Sequence, residues 1–145
     1  MALDSKNRLQ TKRQSLERDC RANPGDESLV FRLVSVLERL EDHDALVELI
    51  ESAVQRMPGS LNLQMTRARI LSSLGDFEAA RSAYNAILER EPGHVDATCA
   101  LVQAGQGADA GGLDGVQALL AQADRATGDF YKLSYARARL LEDLS

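Results

Sequence analysis

Along this chain the apolar positions fall three and four residues apart, so that each group of them occupies one face of a helix. Leu3, Leu9, Leu16 and Cys20 mark a sparse stripe in an otherwise charged opening segment, residues 4–22. Leu29, Leu33, Val36, Leu37 and Leu40 mark a second helix, widened by Val30, Phe31 and Val34. An apolar face that wide suits a helix packed on two sides. Ala45, Leu46, Leu49, Ile50, Ala53, Val54 and Met57 predict its partner. The plan then repeats: Leu63, Ile70, Leu71 and Leu74, followed by Phe77, Ala79, Ala80, Ala83, Tyr84, Ile87 and Leu88. Val95, Thr98, Leu101 and Val102 open a further pair, which Leu113, Val116, Leu119, Leu120 and Ala123 complete. Leu133, Leu140, Leu141 and Leu144 form a last stripe.

The punctuation between these helices is periodic. Pro24-Gly25, Pro58-Gly59 and Pro92-Gly93 recur every 34 residues. Proline cannot continue a helix interior and glycine tolerates a left-handed turn, so each pair reads as a helix stop followed by a tight turn. A helix stop at such a period marks a stacked helical-repeat array. The predicted fold is all-α: antiparallel helix-turn-helix repeats forming an α-solenoid of about seven helices, one domain over 1–145. It divides into an N-terminal helix at 4–22, repeats at 27–58, 61–92 and 95–126, and a C-terminal helix at 129–145. Asp76 is expected to cap the helix that follows it, with Glu78 in the first turn. Residues 105–112 hold four glycines, which should end the preceding helix near Ala104. The apolar stripe after them matches that of the preceding repeat at a spacing of 36, so two residues are inserted here and a loosened turn is expected. The last stripe lacks a second helix before Ser145. Its flank is therefore expected to be open, suited to homodimer contacts, and the chain is expected to be a domain of a longer protein.

Composition narrows function by exclusion. Aromatic residues are 4% with no Trp, and net charge is −5, which disfavours base-stacking platforms and nucleic-acid binding. Lys6, Arg8, Lys12, Arg13, Arg18 and Arg21 make the opening helix basic; a solvated end helix is expected, an acidic partner being the alternative. Cys20 and Cys99 lie 79 residues apart, without metal-type spacing, and fit a reducing compartment and buried small side chains better than a disulfide framework. No apolar signal core or membrane-length stretch is present, and a cytoplasmic location is expected. His43 and His94 are expected in solvated turns. Neither has a second ligand at metal spacing. Cys99 lacks a local base. Glu41/Asp42 and Glu142/Asp143 are sequence neighbours that point apart on a helix, and Gly105-x-Gly has no strand before it or Lys-Ser/Thr after it. No catalytic, metal or cofactor site is expected.

The run Gly75-Asp76-Phe77-Glu78-x-Ala80-x-x-x-Tyr84, with Pro92 beyond it, resembles the tetratricopeptide repeat, a 34-residue helix-turn-helix unit. Leu46, Ile50 and Pro58 fill the same places more loosely one repeat earlier. The family's Trp is replaced by Val30 and Gln64, its Leu-Gly by Leu33-Val34 and Arg67-Ala68, and its Tyr by Leu37 and Leu71. The resemblance implies a right-handed solenoid whose first helices line a concave groove for a peptide or helix of a protein partner. The groove places fall on Ser28, Phe31, Arg32, Ser35 and Arg39, then Asn62, Met65, Thr66 and Arg69. They continue with Asp96, Cys99 and Gln103, and end with Lys132, Tyr135 and Arg139. The arginines suit carboxylates taken bidentately, and Phe31, Met65 and Tyr135 suit apolar anchoring. Alternatively these arginines are solvated and pair with neighbouring carboxylates. The Lys and Asn with which some members clamp a C-terminal carboxylate are absent, those places holding Phe31, Ser35, Thr66, Asp96 and Ala100. Residues 133–144 also resemble the last repeat helix of bacterial tetratricopeptide proteins that continue into a sulfotransferase domain. That likeness implies the alternative function: a regulatory or scaffolding region of a larger enzyme, with catalysis outside these residues.

Overall fold

In the computed structural model, which describes residues 2–145, eight α-helices and one 3-10 turn are present among the described residues, and no strand. They are α1 (Ala2–Ala22), α2 (Glu27–Arg39), α3 (His43–Arg56), α4 (Leu61–Ser73), α5 (Phe77–Arg90), α6 (Val95–Gln103), α7 (Gly112–Gln122) and α8 (Gly128–Leu144). The 3-10 turn, Gly107–Ala110, precedes α7. The chain forms two compact units, Met1–Gly75 and Asp76–Ser145.

In the first unit, α1 packs on α2, α2 on α3 and α3 on α4. Each helix after α1 begins at a side chain that takes up an orphan amide. Asp26 accepts from Ser28 and Leu29, Asp42 from Ala45 at 3.2 Å, and Ser60 from Leu63 at 3.2 Å. Such a cap contributes about 1 kcal/mol. The apolar stripes then meet. Val30, Leu33, Val34 and Leu37 of α2 are buried with Leu46, Ile50 and Ala53 of α3 and Leu63 and Ile70 of α4. Leu16 and Cys20 of α1 join them, with Leu9 at the margin, so α1 covers α2 as its sparse stripe predicts. Leu3 stays 73% exposed.

The α2–α3 corner closes with two hydrogen bonds, Glu41 N–H to the Glu38 carbonyl and Asp42 N–H to the Leu37 carbonyl. This pairing requires a left-handed residue after the cap. Gly75 supplies one a repeat later at φ 87°, whereas here Glu41 adopts φ 56°.

In the second unit, α5 packs on α6, and α6 and α7 both pack on α8. Asp76 accepts from the Ala79 amide at 3.2 Å, as its sequence predicts, and Glu78 lies in the first turn of α5. The core here is Cys99 and Val102 of α6, Val116 of α7, and Leu133 and Ala136 of α8.

The glycine-rich stretch is tied rather than loosened. Asp109 in the 3-10 turn accepts from Arg81 Nε at 2.5 Å and Nη2 at 2.9 Å, and from Asn85 Nδ2 at 3.2 Å. The bidentate fork fixes the turn against α5. Gly115 lets α7 approach the turn: a Cβ there would stand 2.3 Å from the Ala110 carbonyl oxygen. The two inserted residues are thus absorbed by a braced turn.

Candidate protein-interaction surfaces

The residues expected to meet a partner divide between the two units. On α2, Ser28, Arg32, Ser35 and Arg39 are exposed and follow one another at turn spacing, which gives them a common face. Phe31 is half-buried, its ring packed on the first unit's core. On α4, Asn62 and Arg69 are exposed, and Met65 and Thr66 are half-buried. The Thr66 hydroxyl donates to the Asn62 carbonyl at 2.9 Å and is used within the helix. Arg69 Nη2 donates to Glu38 Oε1 at 2.7 Å, bringing the α2 and α4 faces together. Arg32 and Arg39 make no ion pair among the described residues, so both guanidiniums remain available.

In the second unit, Lys132 Nζ of α8 donates to Asp96 Oδ1 of α6 at 2.7 Å, and Arg139 stands 3.9 Å from Asp143 on its own helix. These are exposed pairs, each contributing up to about 1 kcal/mol. Gln103 is exposed and Tyr135 is 62% exposed.

Cys99 requires a correction. It was expected on the groove face, but it is 6% exposed inside the second unit's core. Phe31, Met65, Cys99 and Tyr135 hold one repeat position, and Cys99 is packed with Leu133 and Ala136 of α8. Burial pushes its thiol up to about 11. His43 opens α3, and His94 caps α6, its Nδ1 accepting from the Ala97 amide at 3.1 Å. Among the described residues no three His, Cys, Asp or Glu gather as metal ligands, and no helix is long and apolar enough to cross a membrane.

The sequence reading missed the long-range ion pairs. Arg13 of α1 donates to Asp42 Oδ2 and to Glu17 Oε1, each at 2.8 Å, and Arg67 of α4 donates to Glu51 of α3 at 2.6 Å. Arg13 and Asp42 are 29 residues apart, beyond the reach of any helical spacing rule.

A profile of the tetratricopeptide-repeat family matches residues 61–104. That segment contains α4, α5 and α6. The chain is 40% identical over 86 residues, 56% of its length, to cellulose synthase operon protein C of Salmonella typhimurium, and spans 7% of that relative's length. A tetratricopeptide repeat protein from Parabacteroides merdae superposes with a TM-score of 0.71 at 19% identity, over 96% of this chain and 55% of that one. The crystal structure of MamA superposes at 0.60 with 12% identity, over 97% of this chain and 91% of its own. Both likenesses show the tetratricopeptide fold.

Two carboxylates that brace this fold give it a pH dependence. Asp42 is held below the usual carboxylate range, first by the Ala45 amide and then by Arg13; Asp109 is lowered by Arg81 and then Asn85. A carboxylate whose folded pKa is depressed contributes fully above its unfolded pKa, near 4, and that contribution is lost as pH falls through the lower folded value. Melting temperature is therefore expected to drop below about pH 4, with a shallower acid limb in Asp42→Asn and Asp109→Asn. Acid limbs identical to the parent's in both variants would show that neither contact links folding to protons.

Proposed function

We propose that this chain is a protein-interaction module that holds a segment of a partner protein on the exposed faces of its first-position helices. The observation that carries the reading is the face of α2 and α4. Arg32 and Arg39 lie there without ion-pair partners, beside half-buried Phe31 and Met65. Unpaired guanidiniums supply directional donors for carboxylates or carbonyls, and the apolar groups supply area to exclude water around them. Arg69 takes part by exchanging Glu38 for a partner's carboxylate, at little cost because the pair is exposed. In the second unit Gln103, Lys132, Tyr135 and Arg139 offer a similar mixture. The tetratricopeptide fold supports this reading, since its exposed first-position helices offer a surface and the described residues gather no metal-ligand cluster.

The test is a lysate pull-down with the parent and with a variant carrying Arg32→Glu, Arg69→Glu and Arg139→Glu, circular dichroism confirming that both fold. A protein retained by the parent and lost by the variant supports the reading and identifies the partner. Retention by both, or by neither, contradicts binding through these faces.

A further inference from the structure

The repeat register sets the outer face of α1 apart from the same face of α3 and α5. Lys12 and Asp19 of α1 hold the places of Leu46 and Ala53 in α3, one repeat later. Lys12, Ser15 and Asp19 hold those of Ala80, Ala83 and Ile87 in α5, two repeats later. The α3 and α5 residues are all buried, whereas Lys12, Ser15 and Asp19 are exposed. A repeat helix laid over this face of α1 would strip water from Lys12 and Asp19, a cost the apolar residues of α3 and α5 do not carry. The residue types themselves mark the face as one for water or a polar partner.

Cations and neutral donors stand on it in register. Arg8 and Lys12 are one turn apart, beside Asn7, Thr11 and Ser15 at the same spacing, and the five line one shallow cavity of about 460 Å3. Among the described residues neither cation makes an ion pair, and the side chains of Asn7 and Ser15 make no hydrogen bond. The Thr11 hydroxyl donates to the Asn7 carbonyl at 3.0 Å. Arg13, on the flank of the helix, is by contrast committed to Glu17 and Asp42. Of the 17 Lys and Arg residues six lie in α1, against three of the 22 acids, so the patch is a basic island on a chain of net charge −5.

We propose that this row is a docking site for a short acidic segment of a partner protein, with two carboxylates received on Arg8 and Lys12. Four residues of helix rise separate the two cations by about 6 Å, and alternate side chains of an extended segment match that spacing. Asn7, Thr11 and Ser15 supply polar contacts for the segment's backbone. A long polyanion such as a nucleic acid suits the patch less well, because the acidic remainder of the chain repels what the patch attracts. An anionic membrane suits it less well too, because Leu9, Leu16 and Cys20 of α1 are spent on the first unit's core. The site lies on α1 and stands or falls apart from the α2 and α4 faces.

The probe is an acetylated and amidated peptide, Gly-Ser-Glu-Ala-Glu-Ser-Gly, titrated into the isotope-labelled full chain at low ionic strength. Saturable amide shifts are expected, largest at Arg8, Thr11, Lys12 and Ser15, and absent with the Gln-Ala-Gln counterpart. Arg8→Ala and Lys12→Ala should each weaken binding roughly tenfold, a charge-assisted contact being lost each time. Arg21→Ala removes the same charge from the same helix beyond the row and should change binding less than about twofold. The amide spectrum of each variant checks that it keeps the fold. Absence of saturable shifts, or equal affinity for the Glu and Gln peptides, overturns the proposal. So does a loss in Arg21→Ala as large as that in Arg8→Ala and Lys12→Ala, which would reduce the attraction to the helix's charge at large. Co-sedimentation of the chain with vesicles of anionic lipid, abolished by Arg8→Ala/Lys12→Ala while the peptide fails to bind, overturns it as well and assigns the patch to a membrane.

Discussion

Leu133→Ala is expected to destabilise the second unit by about 3 kcal/mol, the usual cost of removing a fully buried leucine and leaving a cavity. Leu133 is 0% exposed and belongs to the cluster formed with Cys99, Val102, Val116 and Ala136. It therefore joins three helices at once: α6, α7 and α8. Urea unfolding followed by circular dichroism measures the effect. Leu144→Ala, at a position 74% exposed on the same helix, should stay within about 0.5 kcal/mol of the parent. Equal effects from the two variants would mean that α8 is not docked by this face.

Gly115→Ala is expected to cost about 2 kcal/mol, because the new methyl group meets backbone rather than a side chain that can turn aside. Its Cβ would lie 2.3 Å from the Ala110 carbonyl oxygen and 3.3 Å from the carbonyl carbon. Relief requires moving the 3-10 turn, and with it Asp109 and its bonds to Arg81 and Asn85. Gly107→Ala provides the contrast. Its closest contact is Leu140 Cδ2 at 2.7 Å, the free end of a flexible side chain, so a smaller loss is expected. Thermal melts that rank Gly107→Ala as the more damaging change would contradict the braced-turn account.

The Pro-Gly period and the apolar stripes were legible in the sequence because both are local. A stop at fixed spacing and a stripe at helical spacing each concern residues within a few turns of one another, and Asp76 as a cap follows the same logic. The predicted count of about seven helices compares with eight among the described residues, each lying within or close to a predicted segment. What escaped depends on the distance between helices. Cys99 lies on the same stripe as Phe31 and Met65, and nothing in its spacing tells that α8 closes over it. The braced turn depends on Arg81 finding Asp109 across 28 residues and an insertion. Glycines at Gly107 and Gly115 signal flexibility when only their neighbours in sequence are considered. In the folded unit they admit close contacts.

The candidate faces were legible in part. The sequence placed Arg32, Arg39 and Arg69 on first-position helices, while the alternative of neutralised surface arginines also holds for some positions. Arg69, Lys132 and Arg139 have ion-pair partners among the described residues; Arg32 and Arg39 have none. That distinction rests on where Glu38, Asp96 and Asp143 reach, and it makes the α2 face the stronger of the two.

Amide chemical-shift mapping with the segment of the captured partner tests the central claim most directly. The largest shifts are expected at Arg32, Ser35 and Arg39 of α2 and at Asn62, Met65 and Thr66 of α4, and they should vanish in Arg32→Glu/Arg39→Glu. Shifts confined to Glu48, Ser52 and Arg56 on α3, with α2 and α4 silent, would contradict binding through the first-position helices.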